Sequence, residues 1–160
     1  MSQTGPAAAS IRPATAADAA TIRDLTRAAY ARWVPLIGRE PMPMTADYER
    51  AVREHRIDLL LVDGRPVALV EMIDEGDHLL IENVAVDPAM QGRGYGRRLL
   101  DHAETVASAL GHREMRLYTN KAFAANVRLY QRHGYVVDRE EPFMEGFTVY
   151  MSKALPVNAE

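Results

Sequence analysis

The stretch Gln91–Leu100, QGRGYGRRLL, sets Gly92, Gly94 and Gly96 at alternate positions and then runs into a basic and apolar segment. Each glycine costs roughly 0.5–1 kcal/mol of conformational freedom relative to alanine, so a bare backbone here needs a reason. Downstream, Leu99, Leu100, Ala103, Val106, Ala107 and Leu110 repeat at helical spacing, with Gly111 as a stop. Upstream, HLLIENVAV reads as a strand that Asp87-Pro88 ends, because proline cannot continue a central ladder. The glycines therefore lie between a strand and the start of an amphipathic helix. A helix start has unpaired N–H groups and a partial positive charge, which suits an anion. Glycines let the backbone approach a ligand and aim successive amides at it. Arg93, Arg97 and Arg98 add positive charge, which suits phosphates. The stretch reads as a diphosphate-binding loop; the plainer alternative is a strand–helix turn with no ligand. Two general phosphate motifs fail: GxxxxGK[ST] lacks its Gly-Lys pair, and GxGxxG would need glycine at Arg97 or Leu99.

Outward from the loop, strand and helix periods alternate. SIRPAT reads as a first strand, and Thr15 with Asp18 as the start of a helix with Ile22, Leu25, Ala29 and Trp33 on one face. Prolines and a glycine in LIGREPMPM break it, and Thr45 is the expected cap of a second helix to about His55. IDLLLVDGRPVALVEMI is two apolar runs joined at Asp63-Gly64, a hairpin signal. DEGD turns the chain into the HLLIENVAV strand. EMRLYT is a further strand, Asn120 the expected cap of a helix reaching Gly134, and YVVDR and GFTVYMS two closing strands. The order predicts a mixed α/β sheet. One domain is expected over 11–154, with tails at 1–10 and 155–160.

The composition, 48% hydrophobic and 26% charged, is that of an ordinary globular chain of 160 residues. A net charge of -3 argues against a nucleic-acid binder. There is no cysteine, which removes disulfides, thiolate metal sites and cysteine nucleophiles. His55, His78, His102, His112 and His133 are too scattered for a local metal motif, so no metal is expected. No stretch approaches the roughly 18 apolar residues of a membrane span, and the first residues lack a signal-peptide pattern. A cytoplasmic protein without a membrane partner is the expectation.

Gln91-x-x-Gly94-x-Gly96, directly after NVAVDP, resembles the Q/R-x-x-G-x-G/A acyl-CoA loop of the GNAT (Gcn5-related) N-acetyltransferases. LYTNKAFAANVRLYQRHGYV is similar to the family's later helix, with Asn126, Tyr130 and Gly134-Tyr135, and IRPATAADAATI resembles its opening strand and helix. The resemblance spans about residues 10–153. It implies the GNAT fold, a central, mostly antiparallel sheet flanked by helices, and acetyl-CoA as co-substrate. It also implies that the backbone of Val84, Ala85 and Val86 pairs with pantetheine. Gln91, Gly92, Arg93, Gly94, Tyr95, Gly96 and Arg97 then hold the pyrophosphate, with Asn126 as a further CoA contact. One departure stands out: many members carry asparagine seven residues before the helix tyrosine, where this chain has Phe123.

Acyl transfer to an amine needs a base, an oxyanion donor and a proton for the leaving thiolate. A Val84 amide is the candidate oxyanion donor. Tyr130 is the candidate acid, since a phenol stays protonated at neutral pH. It shares a helix face with Asn126, and the alternative is a core tyrosine. Glu82 is the candidate base. A carboxylate in an apolar strand is depleted by propensity and gains basicity from burial; the alternative is an edge glutamate paired with arginine. By the two-residue period Glu82 shares a face with Leu80, Val84 and Val86 unless a bulge shifts it. Resemblance puts the acceptor near RWVPLIGREPMPM and DREEPFMEGF, with Tyr30, Trp33 and Met44 as wall residues and Asp138, Glu140, Glu141 and Glu145 as possible attractors of a cation. The expectation is an N-acetyltransferase acting by direct attack on a small-molecule or peptide amine, and the resemblance adds a homodimer, a common form in the family. The alternative is a non-catalytic acyl-CoA-binding regulatory module, which would need the loop but neither Tyr130 nor Glu82.

Overall fold

The computed structural model describes residues 8–156. Of the expected tails, residues 1–7 and 157–160 lie outside that range; Ala9 and Ser10 already belong to the first strand, and Leu155 is buried. The strands are β1 (Ala9–Pro13), β2 (Arg56–Val62), β3 (Arg65–Asp74), β4 (Leu79–Val86), β5 (Glu114–Asn120), β6 (Val136–Phe143) and β7 (Gly146–Ala154). They form one sheet in the order β1-β2-β3-β4-β5-β7-β6. Every pairing is antiparallel except β4 with β5. The helices are α1 (Ala19–Tyr30), α2 (Val34–Ile37), α3 (Tyr48–Glu54), α4 (Tyr95–Ala109) and α5 (Ala124–Arg132).

Local chemistry sets these bounds. Asp63 at φ 50° and Gly64 at φ 79° make the tight β2–β3 turn, the left-handed geometry that matches strand twist. Arg12 donates to both Asp18 oxygens at 2.9 and 3.1 Å, and Asp18 also accepts the Thr15 amide at 2.8 Å, which fixes the entry to α1. Thr45 does not cap α3. It ends a 3-10 turn, its hydroxyl donating to the Met42 carbonyl at 3.2 Å, and Asp47 caps instead through the Arg50 amide at 3.2 Å. Asn120 likewise accepts the Ala122 amide at 2.9 Å in a turn before α5, whose first residue is Ala124.

The sheet carries a core on each face. On one, Leu99, Leu100, Ala103, Val106 and Ala107 of α4 and Tyr130 of α5 pack on Leu60, Val70, Met72 and Ile81. On the other, Ile22, Leu25, Ala29 and Tyr30 of α1 and Tyr48 of α3 pack on Leu59, Leu61, Leu69 and Ala85. Fully burying each large aliphatic side chain contributes about 1.5–3 kcal/mol, which anchors both helical layers to the strands.

Two irregularities in β4 shape its far half. Against β3 the register passes from Glu71↔Asn83 to Met72↔Ile81, so Glu82 is a bulged residue. Against β5, pairing covers only Leu79–Ile81 with Met115–Leu117. Beyond Ile81 the β4 edge facing β5 has no ladder partner, and the two strands part.

Among the described residues, no helix is long and apolar enough to cross a membrane. One buried pair tests the α4 face. Asp58 of β2 is 1% exposed, with its Oδ2 2.7 Å from His102 Nε2 on α4 and 3.1 Å from Arg56 Nε. Removing one partner of a buried polar pair is far costlier than replacing both. His102→Leu is therefore expected to cost about 3 kcal/mol in urea unfolding, and adding Asp58→Leu to recover most of it.

Candidate active site

The three glycines serve two purposes. Gly92 and Gly94 take φ 80° and 84°, in the left-handed region, and Gly94 is the residue that opens α4. Gly96 has ordinary helical φ, but a Cβ there would stand 3.4 Å from Leu129 Cδ2 and 3.9 Å from Val86 Cγ2. Two glycines make the turn, and a Cβ at the third would already be in van der Waals contact with α5 and the end of β4, which leaves little room for a larger side chain. The first backbone bond of α4 runs from the Arg98 amide to the Gly94 carbonyl at 3.0 Å, which leaves the Tyr95, Gly96 and Arg97 amides without intrahelical acceptors. Gln91 Nε2 donates to the Val86 carbonyl at 3.4 Å and ties the loop to the strand end. Arg98 turns away and donates to the Ala9 carbonyl at 3.3 Å, whereas Arg97 lines the cleft above the loop. Arg93 is exposed and outside the lining.

That cleft measures about 490 Å³, within the range of small-molecule sites. It runs where β4 and β5 part. One wall is Val84, Val86 and the loop from Met90 to Arg97 apart from Arg93; the other is Tyr30 at the end of α1 and Trp33 just after it; α5 closes it with Asn126, Leu129 and Tyr130. The unpaired edge of β4 offers backbone donors and acceptors along it. Val84 and Val86 pack on the α4 side and Ala85 on the α1 side. Ala85 is accordingly absent from the lining.

Tyr130 is 6% exposed and meets Tyr135 edge-to-face at 6.1 Å between ring centroids. Burial pushes its phenol up to about 12, so it holds its proton throughout the neutral range. Asn126 lies one turn before it on the same lining face. Phe123, at the position where asparagine was the commoner expectation, stacks on Trp33 at 4.7 Å and meets Tyr30 edge-on at 6.2 Å. There it braces the two aromatic wall residues.

The bulge corrects the expected facing of Glu82. Leu79 and Ile81 lie on the α4 side, and so do Val84 and Val86, so the two-residue period breaks between them. Glu82 lies on the α1 side with Asn83, where the Tyr118 hydroxyl donates to both its oxygens at 3.0 Å. Burial raises its carboxyl, and the Tyr118 bond offsets part of that rise. Glu82 does not line the cleft itself, although its charge helps to raise the Tyr30 phenol. Met44 is core, 6% exposed, with its carbonyl accepting Arg27 Nη1 at 2.8 Å. The expected acidic attractors are partly neutralised: Glu140 pairs with Lys121 at 2.9 Å and Glu141 with Arg139 at 3.0 Å.

Two polar groups escaped the sequence reading. Glu71, in the apolar run Val70-Glu71-Met72, is 4% exposed and has its Oε2 2.6 Å from His55 Nδ1. The argument that singled out Glu82, a carboxylate inside an apolar strand, would have found it. Asp101, Glu104 and His133 cluster within 4.8 Å, a candidate metal grouping, but Lys153 Nζ already stands 2.8 Å from Glu104 Oε2 as its counter-cation.

Comparison with known proteins follows the same lines. The profile of the acetyltransferase (GNAT) family matches residues 21–135. N-alpha-acetyltransferase 80 of Mus musculus is 40% identical over 52 residues, which are 32% of this chain and 17% of the mouse protein. The chain thus spans only a small part of that curated relative. In fold, the PaiA N-acetyltransferase of Thermoplasma acidophilum in complex with coenzyme A superimposes with a TM-score of 0.80 at 17% identity, over 92% of this chain and 99% of that one. The ribosomal-protein-S18-alanine N-acetyltransferase of Escherichia coli gives 0.77 at 20% identity, over 96% and 97%. At these identities the likeness is one of fold.

The glycine assignment makes a test. Gly96→Val would drive methyl groups into Leu129 and Val86, and is expected to cost about 1–3 kcal/mol in urea unfolding. Gly92→Ala, which meets open space, should cost only the left-handed backbone strain of about 1 kcal/mol.

Proposed function

The chain belongs to the GNAT family of acetyltransferases, and we propose that it moves an acetyl group from acetyl-CoA to a primary amine of a small molecule or peptide by direct attack. The observation that carries this reading is convergence. One cleft joins a helix start with unpaired amides, a strand edge with unpaired backbone and a buried phenol. A diphosphate matches the first, an amide-bearing pantetheine arm the second, and a departing sulfur the third. In this reading residues 11–154 act as one acetyltransferase domain.

Acetyl-CoA supplies an activated thioester, and the residues of the chain supply position and protons. The amides of Tyr95, Gly96 and Arg97 and the Arg97 side chain hold the pyrophosphate at the helix start. The Val84–Val86 edge pairs with the pantetheine arm and offers an amide to the carbonyl oxygen as charge develops on it. Glu82 takes the amine proton; its raised carboxyl is a better base than an exposed glutamate. Tyr130 donates a hydrogen bond to the sulfur. With the phenol near 12 and a thiol near 8.5, complete transfer is uphill by roughly 3.5 units, about 5 kcal/mol. Tyr130 therefore acts as a transition-state donor to the thiolate, which collects its proton afterwards. The chain has no cysteine to carry an acyl group between partners, which favours direct attack.

Tyr130→Phe should leave the Kd for coenzyme A unchanged and lower kcat roughly 100-fold, the usual scale for such a donor; an unchanged kcat in a chemistry-limited assay removes the role. Glu82 accepts a proton only when ionised, so the rate should rise with pH through its raised pKa. Glu82→Gln should abolish that acidic limb of the pH–rate profile, and a variant that keeps the limb assigns the base elsewhere.

A further inference from the structure

The Glu71–His55 pair has no part in the chemistry above, and its placement gives it one. Glu71 is almost fully enclosed on the α1 side of β3, next to Asn83 across the ladder and hence beside the bulged Glu82. One titratable group touches it and four more feel its charge. His55 reaches it from the α3–β2 junction, and the charge of Glu71 helps to raise Tyr30 of α1, Tyr48 of α3, Glu82 of β4 and Tyr118 of β5. A lone carboxylate so deep would be costly to keep ionised, and burial raises it. Its partner is the way out. His55 Nδ1 lies 2.6 Å from Glu71 Oε2, and the imidazole is 28% exposed, so one ring nitrogen is on the carboxylate and the ring reaches solvent.

Between the two glutamates stands Asn83, 3% exposed. Its Nδ2 donates to Thr26 Oγ1 at 3.2 Å and to the Tyr48 oxygen at 3.4 Å, while the Tyr48 hydroxyl donates to the Pro43 carbonyl at 2.7 Å. Because the Tyr48 proton is committed to Pro43, Asn83 must present nitrogen to it, which fixes the orientation of the amide. Its Oδ1 is consequently a buried acceptor with no protein donor among the described residues, the kind of atom that holds an ordered water beside a carboxylate.

We propose that Glu71 and His55 form a proton exit from the acceptor site, carrying to solvent the proton that Glu82 removes from the amine. This rests on the acetyltransferase reading. The nitrogen gives up two protons per turnover: the first, lost from the ammonium, takes the exit, and the second, lost after attack, offsets the one the departing thiolate collects, so one proton net reaches solvent. The ammonium of the acceptor loses the first to the Glu82 carboxylate; water at Asn83 passes it to the Glu71 carboxylate; Glu71 gives it to His55 Nδ1, and the opposite ring nitrogen releases one to solvent. Along the exit only O–H and N–H bonds form and break, while the amide C–N bond forms and the thioester C–S bond breaks at the acetyl carbon, and Glu82 is returned as a carboxylate. Neither Glu71 nor His55 touches the acceptor; both act through Glu82.

The test uses the full chain, acetyl-CoA and any amine that the unmodified protein acetylates. His55→Ala is expected to lower kcat roughly tenfold or more, to leave the Kd for coenzyme A unchanged, and to regain rate as imidazole is added. Imidazole should not accelerate the unmodified protein. Glu71→Gln is expected to lose kcat similarly with no rescue by imidazole, since the break lies upstream. If His55→Ala fails to fold, His55→Gln keeps a polar partner for Glu71 and should show the same loss of kcat. A normal kcat in either His55 variant, or a loss in soluble His55→Ala that imidazole does not restore, overturns the exit. If the unmodified protein acetylates no amine, the acetyltransferase reading fails and the exit falls with it. A failure confined to the variants leaves that reading standing.

Discussion

The parting of β4 from β5 after Ile81 and Leu117 is the constraint on which the site depends. A sheet interior normally satisfies every backbone group by pairing. Here the outer half of one central strand stays paired with β3 on one edge but has no ladder partner on the edge facing β5, and the opening so made joins the two faces of the sheet. The α4 loop reaches the gap from one side, and Tyr30 and Trp33 from the other. The bulge at Glu82 belongs to the same device: it keeps Val84 and Val86 on the α4 side while turning Glu82 to the α1 side. Bulges re-aim side chains near active sites. This one separates a carboxylate from the glycine loop by the thickness of the sheet.

That separation gives the cleft two electrostatic halves. Arg97 and the free amides of α4 stand at one end, where a diphosphate would sit. Glu71 and Glu82 lie across the sheet, each raised by burial. A net charge of -3 conceals this division. With Glu140 and Glu141 paired to cations at the β6–β7 hairpin, the unpaired part of the exposed acidic run is smaller than the sequence suggests.

Much of this was legible in the residues because local rules decide it. The glycine loop, α4 with its apolar stripe, the Asp63-Gly64 turn and the mixed sheet follow from turn chemistry and period. The misreadings have one physical cause, competition from tertiary contacts. Thr45 lost its cap to Asp47 because a 3-10 turn claimed its hydroxyl. Met44 was drawn into the core, and the face of Glu82 turned on one extra residue in β4, which a two-residue period cannot register. Glu71 was visible by the same reasoning as Glu82, but its histidine, 16 positions away in sequence, could be identified only by the fold.

The most direct test is thiol release from acetyl-CoA by the unmodified protein across a panel of polyamines, amino acids, aminoglycosides, arylamines and peptides. A chain without cysteine adds no background to a thiol reagent. The account predicts release above the amine-free blank with at least one class of primary amine, together with the matching N-acetylated product. Coenzyme A binding with no release for any member of the panel would contradict it and favour a protein that senses acyl-CoA without consuming it.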